Sequence, residues 1–362
     1  VKAKPVRAGV LAASMAASIS LLSPATAAAQ PNCPPPPCSE TTLRGPDPTE
    51  ASIGAETGTF NTTTIDVPKG TIQGMGGATI FAPTGTGNCK YGAVIIQSGM
   101  KLDRDRLAWY GPRVASQGFV VMTMDANSEN ELPAARARLY PLAIDYLTKS
   151  SQVKDTVDAN RLAVSGWSFG GGAALDYSRQ NSKLKASIPL TPWELPTSRY
   201  DTVQTPTLIF GAESDDQAPA NTMPYPFYRS LPANRPKAYL ELKGAEHDVV
   251  ATPNPDTAAK TTIAKTYISW LKRFVDSDGR YDQFLWPRAD TEGKIARYEF
   301  VKQLAPPAPP NQCPSPSPTP TRPPTSTPPS SSRPPAPAPG GGQVGIVPIG
   351  APETGDRGLT EH

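Results

Sequence analysis

The sequence predicts an α/β fold, a mostly parallel central sheet flanked by helices, carried by one domain over residues 45–304. Three observations predict it. Six apolar, β-rich runs alternate with stretches of helical periodicity, the pattern of a sheet covered on both faces. One run leads directly into Gly166-Trp167-Ser168-Phe169-Gly170 and then into a helix-forming segment. The domain also lies between two ends that cannot build a core, and its about 260 residues suit one α/β unit.

The N-terminal end reads as a leader. Lys2, Lys4 and Arg7 precede an apolar stretch over residues 8–22, and Ala27-Ala28-Ala29 offers a small-residue cleavage site. That layout is a secretory signal peptide over residues 1–29, and it implies a secreted, extracellular protein. The apolar run is shorter than the ~20 residues that a membrane anchor needs, so no membrane span is expected. Residues 30–44 form a Pro-rich N-terminal segment. Residues 305–362 are rich in Pro, Ser and Thr. Such composition favours solvated polyproline II over packing, so a disordered tail is expected there.

Charge and cysteines narrow the class further. A net charge of +3 over 362 residues is too small to indicate a nucleic-acid partner. Export makes disulfides permissible for Cys33, Cys38, Cys89 and Cys313. Four prolines separate Cys33 from Cys38 and, extended, hold their Cα atoms about 15 Å apart, against ~5.5 Å in a disulfide. Longer-range pairs involving Cys89 or Cys313 are therefore expected, with the connectivity open. No cysteine spacing suggests a metal site, and no cofactor is called for.

In chain order the predicted strands are "YGAVIIQSG", "GFVVMTMDAN", "NRLAVSGWS", "KASIPLTPW", "TPTLIFGAES" and, last, "KAYLELKGAEH". Helical patterns cover residues 104–116, 134–148 and 261–275. The last carries Ile263, Tyr267, Trp270, Leu271 and Phe274 at helical spacing, which reads as a core stripe rather than a ligand box.

The run Leu162-Ala163-Val164, the Gly-rich turn and the helix-former "AALDYSRQ" place Ser168 on a strand–turn–helix. This is the context of a nucleophile elbow, where small neighbours let strand and helix approach. A serine hydroxyl needs a histidine base. The chain has only two histidines, and His362 is its last residue. His247, just past a strand end, is the candidate base. Its carboxylate partner is one of Glu213, Asp215 and Asp216, all after the strand "TLIFGA". The order Ser, acid, His is that of the α/β-hydrolases, but spacing does not choose among the three acids.

At this point the residues resemble the bacterial cutinases and polyethylene-terephthalate hydrolases. "RGPDPT" (44–49), "IPLTPW" (188–193), "FYRSLP" (227–232), "KAYLEL" (237–242) and "WLKRFVDSDGRYDQFL" (270–285) are similar to that family's segments. The likeness spans nearly the whole domain and implies an α/β-hydrolase fold without a lid domain. The family's "D-x-x-A-P" pattern falls on Asp215 to Pro219 and implies Asp215 as the triad acid. It further implies oxyanion donors at the backbone N–H of Met100 and Phe169, and Trp193 as an aromatic wall for acyl groups. Trp167 stands where many cutinases carry histidine and is similar to the tryptophan of the mesophilic terephthalate-hydrolysing branch.

The departures from the family are informative. Met100 replaces an aromatic clamp, and Gln217 replaces an isoleucine or valine lining the cleft. Losing aromatic stacking, worth ~0.5–1.5 kcal/mol, implies a weaker grip on aromatic polyesters, while methionine adapts to flexible aliphatic chains. Trp286 stands at a cysteine of the family's C-terminal disulfide, so that bridge cannot form. Lys243 replaces one carboxylate of its calcium site and Glu213 corresponds to another, so a Glu213–Lys243 ion pair is expected in place of the metal.

The resemblance implies a secreted, monomeric serine esterase acting on polyesters, whether cutin-like, aliphatic or terephthalate, and on short and medium-chain esters. A lipase or acetyl esterase is the alternative within enzymes. A non-catalytic surface-binding protein on a hydrolase scaffold is the alternative from another class, since fold does not fix function.

Overall fold

Continuous apolar runs bury both faces of a strand, and all six predicted runs form strands in the computed structural model. The structure describes Cys38 and residues 44–302, apart from positions 86, 102, 254 and 255. The expected leader, most of the Pro-rich segment and the expected tail lie outside the described residues. The six strands are β3 (Tyr91–Gln97), β4 (Phe119–Met124), β5 (Val157–Trp167), β6 (Ala186–Leu190), β7 (Thr207–Ala212) and β8 (Lys237–Leu242). They pair in parallel in the order β4-β3-β5-β6-β7-β8.

Three further strands complete a nine-stranded sheet, and the sequence reading had none of them. β1 (Asn61–Val67) and β2 (Ala78–Thr84) extend one edge, and β9 (Ile295–Val301) extends the other, all antiparallel. The strand expected to be last, β8, is therefore not the last. β1 and β9 are edge strands, mostly half-exposed, so they lack the continuous apolar run that marks a strand buried on both faces.

Side chains that alternate along the strands feed three apolar clusters, one of them around Ile209, Tyr228 and Tyr239. Val94, Ile96 and Val121 pack on one face with Tyr110 and Trp270, whereas Ala93, Ile95 and Met122 pack on the other with Tyr140 and Ala173. Tyr110 belongs to α2 (Tyr110–Ala115), which follows α1 (Glu50–Gly54). On the opposite face lie α3 (Pro133–Arg136), α4 (Leu139–Asp145) and α5 (Phe169–Gln180). The chain continues through α6 (Pro224–Ser230) to α7 (Thr257–Phe274). In α7 the stripe residues Ile263, Tyr267, Trp270 and Leu271 are fully buried, as their periodicity predicts, whereas Phe274 at the end of the helix is only partly buried.

Two predicted helices are broken. The 104–116 segment divides into a 3-10 turn, Arg104–Leu107, and α2; the 134–148 segment divides into α3 and α4. Pro112 and Pro141 each fall at the third helical position. A proline there lacks only an N–H that the first turn leaves free, so each helix begins within one turn before its proline instead of carrying it in its interior. Cys38 and Cys89 form a disulfide across a sequence separation of 51, a long-range pair involving Cys89.

Candidate active site

The parallel strands end on one edge of the sheet, and the loops leaving them surround a cleft of 470 Å³. Such crevices outside the carboxyl ends of parallel strands are the usual binding sites of open α/β sheets. Of the eight residues singled out in the sequence, Met100, Trp167, Ser168, Phe169, Trp193, Gln217 and His247 line this cleft. Asp215 lies behind His247.

Ser168 occupies the turn between β5 and α5 at φ 55° and ψ −116°, a left-handed conformation that costs about 1–3 kcal/mol in a non-glycine residue. Close approach makes it possible. A Cβ on Gly166 would overlap the Gly170 carbonyl, and one on Gly170 would overlap the carbonyls of Gln97 and Ser98. The Ser168 carbonyl accepts the N–H groups of Gly171, Gly172 and Trp193 at 2.9, 3.0 and 3.0 Å. Its side chain makes no capping bond to α5, so the hydroxyl stays at the cleft.

His247 opens the 3-10 turn His247–Val250 after β8 and is almost wholly buried. Its Nδ1 is 2.8 Å from Asp215 Oδ2. Asp215 Oδ1 accepts the N–H groups of Gln217 (2.9 Å) and Ala218 (2.8 Å), which fixes the carboxylate while Oδ2 meets the ring. The histidine backbone is also tethered. Its carbonyl accepts Trp167 Nε1–H at 3.3 Å and the Thr191 hydroxyl at 3.0 Å. His247 Nε2 is buried and has no hydrogen-bond partner among the described residues. Serine–histidine contacts are often long in unliganded enzymes.

The geometry separates the three candidate acids. Asp215 faces His247, Glu213 accepts the Gly244 N–H at 2.7 Å, and Asp216 is exposed. The expected Glu213–Lys243 ion pair does not form: the Glu213 carboxylate instead closes the turn at Gly244, and the Lys243 N–H bonds to the Lys294 carbonyl. With a lysine ammonium where a carboxylate would be required, these residues do not fit a calcium ion. Among the described residues no group of three or more His, Cys, Asp or Glu side chains is placed to hold a metal.

The N–H groups of Met100 and Phe169 donate to no backbone acceptor among the described residues. Phe169 begins α5, whose N-terminus favours negative charge. Met100 is half-exposed at the rim. Trp193 lies against Phe169, with ring centroids 4.6 Å apart. Trp167 is buried, and its indole serves the His247 carbonyl as well as the cleft wall.

The sequence reading missed the charged end of the cleft, formed by Lys101, Asp103, Arg106 and Asp248. Arg106 lies 4.5 Å over the Trp167 ring and pairs with Asp248 at 2.8 Å. The available signal was position: these residues directly follow the ends of β3 and β8, where parallel strands present their functional loops.

Comparison with known proteins gives the family. The PET hydrolase-like family pattern matches residues 38–304. The chain is 46% identical over 244 residues to a bis(hydroxyethyl) terephthalate hydrolase of Streptomyces coelicolor, covering 67% of this chain and 76% of that protein. It is 44% identical over 259 residues to cutinase 2 of Thermobifida cellulosilytica, covering 70% and 95% respectively. Cutinase cut1 of Thermobifida fusca is also 44% identical over 259 residues, covering 70% and 78%. The family match and the relatives agree with the fold, and the chain belongs to the PET hydrolase-like family of α/β-hydrolases, carboxylic ester hydrolases by class.

Proposed function

We propose that this protein is a secreted serine esterase that hydrolyses polyesters and soluble short and medium-chain esters through a Ser168-His247-Asp215 triad. The observation that carries this reading is the arrangement of His247. One ring nitrogen is fixed on Asp215 at 2.8 Å, and the other is buried without a partner in the cleft that holds the strained, uncapped Ser168.

In the proposed cycle Ser168 Oγ attacks the ester carbonyl carbon as its proton passes to His247 Nε2. Asp215 stabilises the imidazolium. The tetrahedral oxyanion accepts the N–H groups of Met100 and Phe169. Its collapse expels the alcohol, which takes the proton from His247 and leaves an acyl-serine. Water, deprotonated by the same histidine, then releases the acid and regenerates Ser168.

Trp193 and Phe169 would form the acyl wall. With Met100 at the rim and Gln217 in the lining, flexible aliphatic acyl chains suit the cleft better than rigid aromatic ones. Relatives named as a bis(hydroxyethyl) terephthalate hydrolase and as cutinases support terephthalate and cutin-like esters as candidate substrates. Catalytic domain 45–304 carries the whole site, and residues 1–29 would direct export.

Hydrolysis of p-nitrophenyl esters from acetate to palmitate, by the mature protein beside Ser168→Ala, tests this. Activity that peaks at short or medium chains and collapses in the variant is expected. A peak at palmitate would favour a lipase. An inactive parent, or an unaffected variant, would overturn the triad.

A further inference from the structure

Arg136 closes α3 and is completely buried. Its guanidinium directs all five N–H donors at backbone carbonyls. Nε bonds to Glu131 at 2.6 Å, and Nη1 to Ser98 at 3.1 Å and Gly99 at 2.7 Å. Nη2 bonds to Met100 at 3.1 Å and Glu129 at 3.3 Å. Three of these acceptors are consecutive residues, the ones that carry the chain from β3 into the cleft. Gln97, the last residue of β3, adds a bond from Nε2 to the Arg136 carbonyl at 3.3 Å. The guanidinium carbon also lies 5.6 Å over the Phe169 ring. One side chain thus touches both residues assigned as oxyanion donors.

No acidic side chain among the described residues forms an ion pair with Arg136; Glu131, Asp125 and Asp103 act on it only at longer range. Burying a guanidinium without a counter-ion is costly, and an apolar side chain of similar volume would fill the space more cheaply. The bonds indicate what the arginine accomplishes. A trans peptide is planar, so the Met100 N–H points opposite to the Gly99 carbonyl. Holding that carbonyl at 2.7 Å turns the Met100 N–H away from Arg136, toward the cleft that Gly99 and Met100 line. A charge-assisted bond to the carbonyl also polarises the amide and strengthens its N–H as a donor.

We infer that Arg136 is a positioning residue for ester hydrolysis, orienting and polarising the Gly99–Met100 peptide so that its N–H meets the developing oxyanion. The inference rests on the proposed role of the Met100 N–H and extends it to a residue outside the cleft lining.

Arg136→Lys keeps the positive charge but has one nitrogen and three donors, which cannot span the carbonyls of residues 98–100. Removing an oxyanion donor typically lowers kcat by about 10²–10³-fold, and loosening one should lower kcat/KM by about 10–100-fold with KM nearly unchanged. The decisive readout is a pair of inhibitors, an alkyl trifluoromethyl ketone and its carbinol. The ketone adds Ser168 Oγ to its carbonyl carbon, the serine proton passes to His247, and the ketone oxygen becomes an oxyanion; the carbinol cannot react. Ketone affinity should fall in step with kcat/KM while carbinol affinity holds. Unchanged kcat/KM, or equal loss of both affinities, would overturn the inference. If Arg136→Lys does not fold, Gln97→Met frees the Arg136 backbone carbonyl that Gln97 Nε2 holds at 3.3 Å and so loosens the anchor from which the guanidinium reaches residues 98–100; unchanged ketone affinity in that variant would also overturn the inference. Ser168→Ala separates the two claims. If it stays active the triad reading fails; if it is inactive while Arg136→Lys behaves as parent, only the role of Arg136 fails.

Discussion

Arg106 and Asp248, separated by 142 positions in sequence, meet at 2.8 Å beside the candidate base His247. Arg106 also donates Nε–H to the Thr252 carbonyl at 2.6 Å, and its own carbonyl accepts the Thr252 N–H at 2.8 Å. The turn that starts at His247 is thereby clipped to the turn after β3.

The hydrogen bond from Arg106 holds the Asp248 carboxyl below the usual aspartate range. A depressed carboxylate pKa contributes stability that is present above the unfolded value of about 3.9 and is lost as pH falls through the folded value. Asp248→Asn should lower Tm at pH 7 by about 2 °C, because the pair is half-exposed and worth under ~1 kcal/mol. The difference should shrink in 1 M salt and begin to close only as pH falls below about 4. Thermal melts across pH check this; a gap that does not narrow as pH falls below about 4 would assign the effect to something other than the charge.

Asp215→Asn should preserve the fold and lose activity. The amide oxygen can still accept from Gln217 and Ala218, which turns its NH₂ toward His247 Nδ1. That places the histidine proton on Nε2, where it cannot accept from Ser168. A loss on the order of 10³–10⁴ in kcat is expected for a wrong tautomer. Steady-state kinetics on a p-nitrophenyl ester, with circular dichroism to verify folding, decides it.

Glu194, next to Trp193, is buried. Its Oε1 accepts the Leu195 N–H at 2.8 Å, while Oε2 has no partner among the described residues. Burial raises its pKa, and nearby Asp176 adds to the shift. For an acid with a raised folded pKa, the penalty is full above that pKa and disappears below the unfolded value. Glu194→Gln should therefore raise Tm at pH 8 by about 2 °C, with variant and parent converging below about pH 4. A variant less stable at pH 8 would mean that the charge is compensated.

Replacing both Cys38 and Cys89 by serine frees the unfolded chain from a loop with a sequence separation of 51. Chain entropy puts the effect at about 4 kcal/mol or less, and Tm should fall by roughly 5–10 °C. Calorimetry on the double variant is the check, and an equal Tm would show that the bridge does not constrain unfolding.

The sequence by itself determined the sheet centre, the strand–turn–helix that carries Ser168 and the candidate base. Strands buried on both faces must be continuously apolar, an elbow needs small residues at fixed spacing, and His247 is the only histidine other than the last residue. Those are local requirements, so they are written locally. Tertiary structure decided what depends on distance between remote segments. It separated Asp215, facing His247, from Glu213, which closes a turn. It chose the Cys38–Cys89 pairing and added the half-exposed edge strands. It also brought Arg106 to Asp248 and Arg136 to the carbonyls of residues 98–100. A backbone carbonyl has no residue identity, so nothing in the sequence around Arg136 announces the partners that hold it.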